Sequence, residues 1–363
     1  MSKKTVAIIG TNGLPGRYGG WDQLLNHLTK DLKEKYKFYV YTSSHDAVKG
    51  VDTFNEAELP TIPLKANGVQ SIPYDIISMI HAIVFRRDVL LILGTSGCVF
   101  LPMLKFFRIK TILNPDGAEW KRGKWNSFAK WFLSLSERVG IKYSDLVIAD
   151  NKVIQEYIYS TYKTTSELIE YGGDNAVRVQ MRQETEFKYE VKARQYAFKV
   201  CRIVPENNID LILEAFSESS FKLILIGNWN FSSYGKNIRS RYNKYPNLLL
   251  LDPIYDQKTL DELRSNCSFY VHGHSVGGTN PSLVEAMSLG LCCVVFDVNY
   301  NRETTENSAI YFSDEHDLRN ILHEFEKNKI NLVEIESSML RVAQARYRWD
   351  IITEKYSVLI DKV

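Results

Sequence analysis

The chain has 363 residues, of which 45% are hydrophobic and 24% charged, with a formal net charge of +2. These values exclude a disordered, collagen-like or low-complexity chain, and the near-neutral balance argues against a dedicated nucleic-acid binder. At this length two domains of similar size are expected.

The charge is uneven. Residues 1–170 hold 22 Lys and Arg against 17 Asp and Glu, a balance of +5 that leaves −3 for the remainder. The most apolar stretch, Ile72 to Leu93, is broken by Pro73, Asp75, His81, Arg86, Arg87 and Asp88, so no membrane span is expected. The short apolar run Val6–Ile9, ending at Gly10, reads as a first strand rather than a signal peptide, and a cytoplasmic protein is expected. The five cysteines are odd in number and lack Cys-x-x-Cys spacing, as buried thiols in a reducing compartment would.

In chain order, β-branched runs alternate with helical patterns. Strands are expected at Val6–Ile9, Phe38–Tyr41, Val89–Leu93, Lys110–Leu113 and Leu146–Ala149, with helices at Trp21–Lys33, Tyr74–Phe85, Ser127–Lys142 and Lys152–Tyr162. A polar linker follows near 172–195. Strands resume at Ala197–Val200, Lys222–Ile226, Leu248–Leu251, Phe269–His272 and Cys292–Asp297, and a last helix covers Ile351–Ile360. The pattern predicts an α/β protein of two doubly wound, Rossmann-like domains facing across a cleft. Their boundaries fall at 1–172 and 173–345, with 346–363 returning to the first.

Candidate chemistry gathers at the expected strand ends. Gly10 to Trp21 is glycine-rich, and a helix beginning at Gly20 would turn its positive end toward an anion, with Gly19 and Gly20 lining the site. It is not the dinucleotide fingerprint, because neither the glycine spacing nor an acidic end to the second strand is present. The run His272-Gly273-His274-Ser275-Val276-Gly277-Gly278-Thr279-Asn280-Pro281-Ser282-Leu283-Val284-Glu285 is more informative. Asn280 caps a helix, Pro281 suits its first position and Gly290 closes it. The Ser282 and Leu283 amides would then be open to a diphosphate, and Glu285 would accept hydrogen bonds from a ribose diol. Arg202 ends the first strand of the second domain, where a guanidinium can neutralise a leaving diphosphate.

Cys201-Arg202-Ile203-Val204-Pro205-Glu206, with Asn280 to Met287 some eighty residues on, resembles the retaining nucleotide-sugar glycosyltransferases of family 4, which have the GT-B fold. Gly13-Leu14-Pro15, Gly19-Gly20 and Asn114-Pro115-Asp116-Gly117-Ala118-Glu119-Trp120 are similar to bacterial rhamnosyltransferases that build capsule or O-antigen repeats. The resemblance implies that Glu285 holds the donor ribose and that Arg202, with the Ser282 and Leu283 amides, holds the diphosphate. Gly19, Gly20, His274, Gly278, Thr279 and Asn280 complete the donor site. Two family positions differ. The first glutamate of Glu-x7-Glu is Gly277, and the lysine five residues after the arginine is Asn207.

Glycosyl transfer through an oxocarbenium-like state requires charge stabilisation on the leaving group. No Asp-x-Asp motif and no His/Cys cluster is present, so metal-independent transfer without a cofactor is expected. With Gly277 offering no carboxylate, front-face substitution is favoured over double displacement. The catalytic residues expected are Asp116, Arg202 and Glu285, with Asp116 orienting or deprotonating the acceptor and Glu119 as a second candidate. Glu285→Ala is expected to remove turnover with little change in melting temperature. Arg17 is a further base that a diphosphate would attract.

On the acceptor side, Trp120 to Trp125 followed by Phe128, Trp131, Phe132 and Leu135 mixes bases with aromatics, as do Phe106-Phe107-Arg108. The partners expected are dTDP-rhamnose as donor, a polyprenyl-diphosphate-linked glycan as acceptor and the anionic inner face of the cell membrane, with no nucleic acid. The alternatives are a UDP- or GDP-sugar donor, a nucleotide-sugar epimerase, and a non-catalytic nucleotide-sugar-binding protein.

Overall fold

The computed structural model describes residues 3–16, 19–117, 119–121 and 126–363. The chain divides into two compact units, Met1–Tyr171 with Trp349–Val363, and Gly172–Arg348. The return segment starts at Trp349 rather than at residue 346. Arg346 is the last residue of the helix Leu332–Arg346 and is tied into the second unit by Glu303 at 2.6 Å, while the Tyr347 hydroxyl donates to the Thr304 carbonyl at 2.8 Å.

In the first unit the strand order is Glu167–Leu168, Leu146–Ala149, Lys110–Asn114, Val89–Leu93, Lys4–Ile9, Tyr36–Val40, Ala57–Glu58 and Thr53–Phe54. All pairs are parallel except the last. A parallel sheet is covered on both faces, so its strands are apolar throughout. Val6 to Ile9 and Val89 to Leu93 are accordingly buried. The returning helix Trp349–Lys362 buries Ile352, Tyr356, Leu359 and Ile360. Lys4 Nζ donates to the Ile360 carbonyl at 2.7 Å, Lys355 pairs with Glu170 at 2.7 Å and His27 stacks on Trp349 at 4.1 Å.

The second unit has six parallel strands in the order Leu248–Leu251, Lys222–Ile226, Tyr196–Val200, Phe269–His272, Cys293–Phe296 and Ile310–Phe312. Numbered along the unit this is 3-2-1-4-5-6, the doubly wound dinucleotide-type order, which reverses between the strands Tyr196–Val200 and Phe269–His272. The first unit reverses between Lys4–Ile9 and Val89–Leu93. Open parallel sheets take ligands beyond the carboxyl ends of the strands at such reversals.

Two features differ from expectation. The stretch 172–195 is not a plain linker: it contains the helix Gln183–Tyr189, and Glu262 anchors it by accepting from Arg182 Nε at 2.5 Å and from the Thr185 hydroxyl. The short strands Thr42–Ser43, Thr61–Ile62, Glu167–Leu168 and Ile310–Phe312 have too few residues to show a periodicity. The five cysteines are free thiols. No helix among the described residues is long and apolar enough to cross a membrane.

Candidate functional site

Two loops meet where the second sheet reverses, one leaving the strand Tyr196–Val200 and one leaving Phe269–His272. Neutral amides join them. Asn207 Nδ2 donates to the Arg202 carbonyl at 2.7 Å, and Asn207 Oδ1 lies 2.9 Å from His274 Nδ1. Asn208 Nδ2 donates to the Gly273 carbonyl at 2.9 Å, and the Ser275 amide donates to the Glu206 carbonyl at 2.9 Å. Asn207, in the place of the family's lysine, is thus a buried strut between the loops.

The Arg202 side chain is exposed, and its guanidinium has no ion pair or hydrogen bond among the described residues. Beneath it the sheet buries two more bases. Lys199, in mid-strand, is 1% exposed, has no ion pair among the described residues, and has its ammonium pKa lowered by burial. His272 is 2% exposed, and burial followed by the nearby Lys199 charge holds its imidazole well below the usual range. Its Nε2 has no hydrogen-bond partner among the described residues. His272 therefore lines the floor rather than the surface.

The helix Pro281–Ser288 starts as the sequence predicts. The Asn280 side chain accepts from the Ser282 amide at 3.1 Å and from the Ser282 hydroxyl at 2.8 Å. This corrects the expectation that the first amides stand open to a diphosphate. The Ser282 amide is taken by the cap, and the Leu283 amide donates to the Asn280 carbonyl at 3.0 Å. Leu283 and Thr279 are buried, and Gly278 is half-buried. The Ser282 hydroxyl also receives the Tyr270 hydroxyl at 2.9 Å, fastening the helix start to the neighbouring strand.

Glu285 is placed by three elements. Arg264, buried on the helix Gln257–Ser265, brings Nη1 to 2.7 Å from Oε2, and Asn175 Nδ2 donates to Oε1 at 2.8 Å. Gly173 allows this approach, since a Cβ there would lie 2.4 Å from the Val284 carbonyl oxygen. The expectation that Glu285 could be truncated without loss of stability is therefore corrected: its removal strands a buried guanidinium. Gly277 has φ +108°, a backbone region that a glutamate side chain would strain, so the loop excludes the first family glutamate.

In the first unit, Asp116 follows the strand Lys110–Asn114 in the left-handed region at φ +56°, its amide donating to Asn114 Oδ1 at 3.2 Å, a turn geometry that aspartate tolerates. Glu119 opens the short helical turn Glu119–Lys121. Gly19 and Gly20 begin the helix Gly20–Asp31, where Gly19 offers no side-chain cap and its carbonyl accepts from the Gln23 amide at 3.2 Å. Arg17 and Arg122 to Trp125 lie outside the described residues. Sequence reasoning missed Arg264, Asn175 and Lys199. Each is an isolated polar residue in an unremarkable local pattern, and only the Gly172-Gly173 pair before Asn175 hinted at a close backbone approach. No group of three or more His, Cys, Asp or Glu placed to hold a metal ion occurs among the described residues.

Residues 181–337 match the family model described as Glycosyl transferases group 1. Residues 3–174 match a separate model, Domain of unknown function (DUF1972). No curated protein sequence matches the chain.

Among solved structures, the chain is similar to sucrose-phosphate synthase from Thermosynechococcus elongatus, with TM-score 0.83 and 14% identity over 99% of both chains. It is similar to Anabaena HepE in complex with UDP-glucose, with TM-score 0.78 and 14% identity over the whole of both chains. A glycosyltransferase from Rickettsia africae gives TM-score 0.72 and 13% identity over 100% of this chain and 99% of that one. At these identities the likeness shows the fold, which is GT-B-like with two Rossmann-like units.

Proposed function

We propose that the protein is a retaining, metal-independent glycosyltransferase that moves a hexose from a nucleoside-diphosphate sugar to an acceptor hydroxyl. The observation that carries this reading is the exposed Arg202 guanidinium at the strand reversal of the second unit, above a floor that buries Lys199 and His272 with no paired acid among the described residues. An oxygen-rich dianion supplies the missing negative charge, and a guanidinium binds it bidentately. As the glycosidic bond breaks, charge builds on the β-phosphate, and donors already in place stabilise it without reorganisation. Glu285, fixed by Arg264 and Asn175, keeps acceptor capacity for the ribose hydroxyls, because a carboxylate has about four lone-pair sites. The Gly278 to Leu283 segment, closed by its own hydrogen bonds, shapes the wall of the donor site. Asp116 orients the acceptor hydroxyl and receives its proton, and Gly19 and Gly20 belong to the donor site.

The motif resemblance supports L-rhamnose from dTDP-rhamnose as the donor. Anabaena HepE was solved with UDP-glucose, which supports a pyrimidine nucleotide and keeps UDP-glucose as the second reading. A polyprenyl-diphosphate-linked glycan on the inner membrane face is the proposed acceptor. The first unit supports membrane docking through exposed Phe106, Phe128 and Trp131 beside Lys105, Arg108 and Lys130. The test offers dTDP-rhamnose, UDP-glucose, UDP-N-acetylglucosamine, GDP-mannose and GDP-fucose to the protein with lipid-linked oligosaccharide in EDTA. Transfer from dTDP-rhamnose with the donor's anomeric configuration kept is the expected result. Another productive donor replaces rhamnose, inversion of configuration overturns the mechanism, and no transfer from any donor overturns the reading.

A further inference from the structure

We propose that His272 supplies the second positive charge that a nucleoside diphosphate requires at the strand reversal of the second unit, by taking up one proton as the anion binds. The inference rests on the donor reading above and deepens it, because it names the group that completes the charge balance of that site.

The two loops that meet at the reversal, 201–208 and 273–280, contain one permanent cation, Arg202. The diphosphate of a nucleotide sugar carries two negative charges, so one is left without a partner. The helix start does not supply it, since the cap and the first turn hold the Ser282 and Leu283 amides. His272 lies on the face of the sheet where that helix sits. The register Phe198↔Tyr270 and the alternation of side chains put Tyr270 and His272 on one face, where the Tyr270 hydroxyl reaches the Ser282 hydroxyl, and Lys199 on the other. His272 stands two residues, about 7 Å, further toward the carboxyl end of the strand, its ring 6.1 Å from that of Tyr270.

The imidazole is 2% exposed, and its Nε2 has no hydrogen-bond partner among the described residues. Burial first, then the Lys199 charge and His274, hold it well below the usual imidazole range, so the ring is neutral before a ligand arrives. The ionisable groups on the elements around it are Lys199, Cys201, Arg202 and Glu206 from one strand and its loop, Tyr270 and His274 beside it in the chain, Glu285 on the helix, and Cys293 and Asp297 from the next strand. Glu285 is held by Arg264 at 2.7 Å and Asp297 by Arg302 at 2.5 Å, while burial pushes the Cys201 and Cys293 thiols up. The ring stays neutral with Glu206 on the facing loop. A dianion bound above it reverses that balance, because a nearby opposite charge favours the imidazolium. The proton comes from water or buffer, and the new N–H bond forms on the ring nitrogen that lacked one.

Calorimetry on the full-length protein in EDTA, with the five nucleotide sugars named above, tests this at pH 7 in buffers of different ionisation enthalpy. A nucleotide sugar has no terminal phosphate to titrate near neutral pH, so the protons counted belong to the protein. Wild type is expected to take up close to one proton per nucleotide sugar bound, and its affinity to fall by up to about tenfold from pH 7 to pH 8. His272→Asn is expected to take up none, to bind roughly tenfold more weakly at pH 7 and to lose the pH dependence. Ring-nitrogen NMR of wild type labelled with 15N-histidine reads the same event without depending on the variant. The His272 ring is expected to be neutral alone and an imidazolium with the ligand bound. Binding without proton uptake, uptake that persists in His272→Asn, or protonation of His274 instead overturns the proposal. Absence of binding by all five overturns the donor reading itself, a result distinct from those three.

Discussion

Each unit reverses its strand order once, and the loops that meet at the two reversals are held over floors of different chemistry, buried acids in the first unit and buried bases in the second. In the first unit the loop after Val89–Leu93 is fastened from below by Asp75, whose Oδ2 accepts from the Gly97 amide at 3.1 Å, and by the Ser136 hydroxyl, which donates to the Thr95 carbonyl at 2.5 Å. Asp75 is 3% exposed, and burial pushes its carboxyl up to about 8, opposed in part by the Gly97 amide. Near it Glu137, also buried, accepts the hydroxyls of Tyr157 at 2.7 Å and Tyr162 at 2.6 Å. In the second unit the loops are joined from the side by neutral asparagines, and the buried groups beneath are Lys199 and His272. A buried base can take up a proton as an anion settles above it, whereas a carboxyl that burial holds protonated gives an anion no such compensation. That difference favours the second unit's reversal as the one to test for an anionic ligand.

The largest effect that would break this contrast is on stability. Glu285→Ala removes the ion-pair partner of the buried Arg264, leaving only the field of Asp261 to offset its charge, so unfolding in urea should show a loss of about 3–5 kcal/mol. Glu285→Gln, which keeps a hydrogen-bonding oxygen, should lose less, and an unchanged midpoint for the alanine variant would remove the ion pair from the account. Arg202→Ala should do the reverse, lowering affinity for a nucleoside diphosphate by roughly tenfold to a hundredfold, as loss of a charge-assisted contact does. The melting temperature should not move, because the side chain is exposed and makes no hydrogen bond or ion pair among the described residues.

The floors can be tested by titration. Asp75 gives up its proton near pH 8 when folded and near 4 when unfolded. The unfolded state therefore ionises first as pH rises, and folding stability falls across that window and levels off above it. Asp75→Asn should melt close to wild type near pH 4 and above it at pH 8, and a gap of the same size at both pH values would contradict the assignment. The smallest effect is expected at Lys199. Lys199→Met removes a buried, unpaired ammonium and should raise the melting temperature slightly at pH 7 while weakening nucleotide binding. A lower melting temperature would mean that the lysine is structurally paired.

The apolar strands of both sheets were legible because parallel strands covered on both faces read as continuous β-branched and leucine runs. Val89–Leu93, Leu146–Ala149, Lys222–Ile226, Leu248–Leu251 and Phe269–His272 have the bounds expected of them. The helix beginning at Asn280-Pro281 was legible from its capping chemistry, but the consequence was not drawn: a good cap consumes the amide that a ligand would use. Glu285 stood out as a carboxylate one turn into that helix, whereas its partners lie 21 residues before it at Arg264 and 110 before it at Asn175. Pairings at such separations leave no local pattern. Asn207 was visible only as a departure from a family motif, and its role emerges from two hydrogen bonds that depend on how the loops fold together.

The central claim is that the strand reversal of the second unit binds a nucleoside diphosphate through Arg202, and calorimetric titration of UDP and dTDP into wild type and Arg202→Ala, in EDTA, tests it most directly. The account predicts binding to wild type that weakens by roughly tenfold or more in the variant while its melting temperature holds. Equal affinity in the two proteins, or no binding of either nucleotide to wild type, would contradict it.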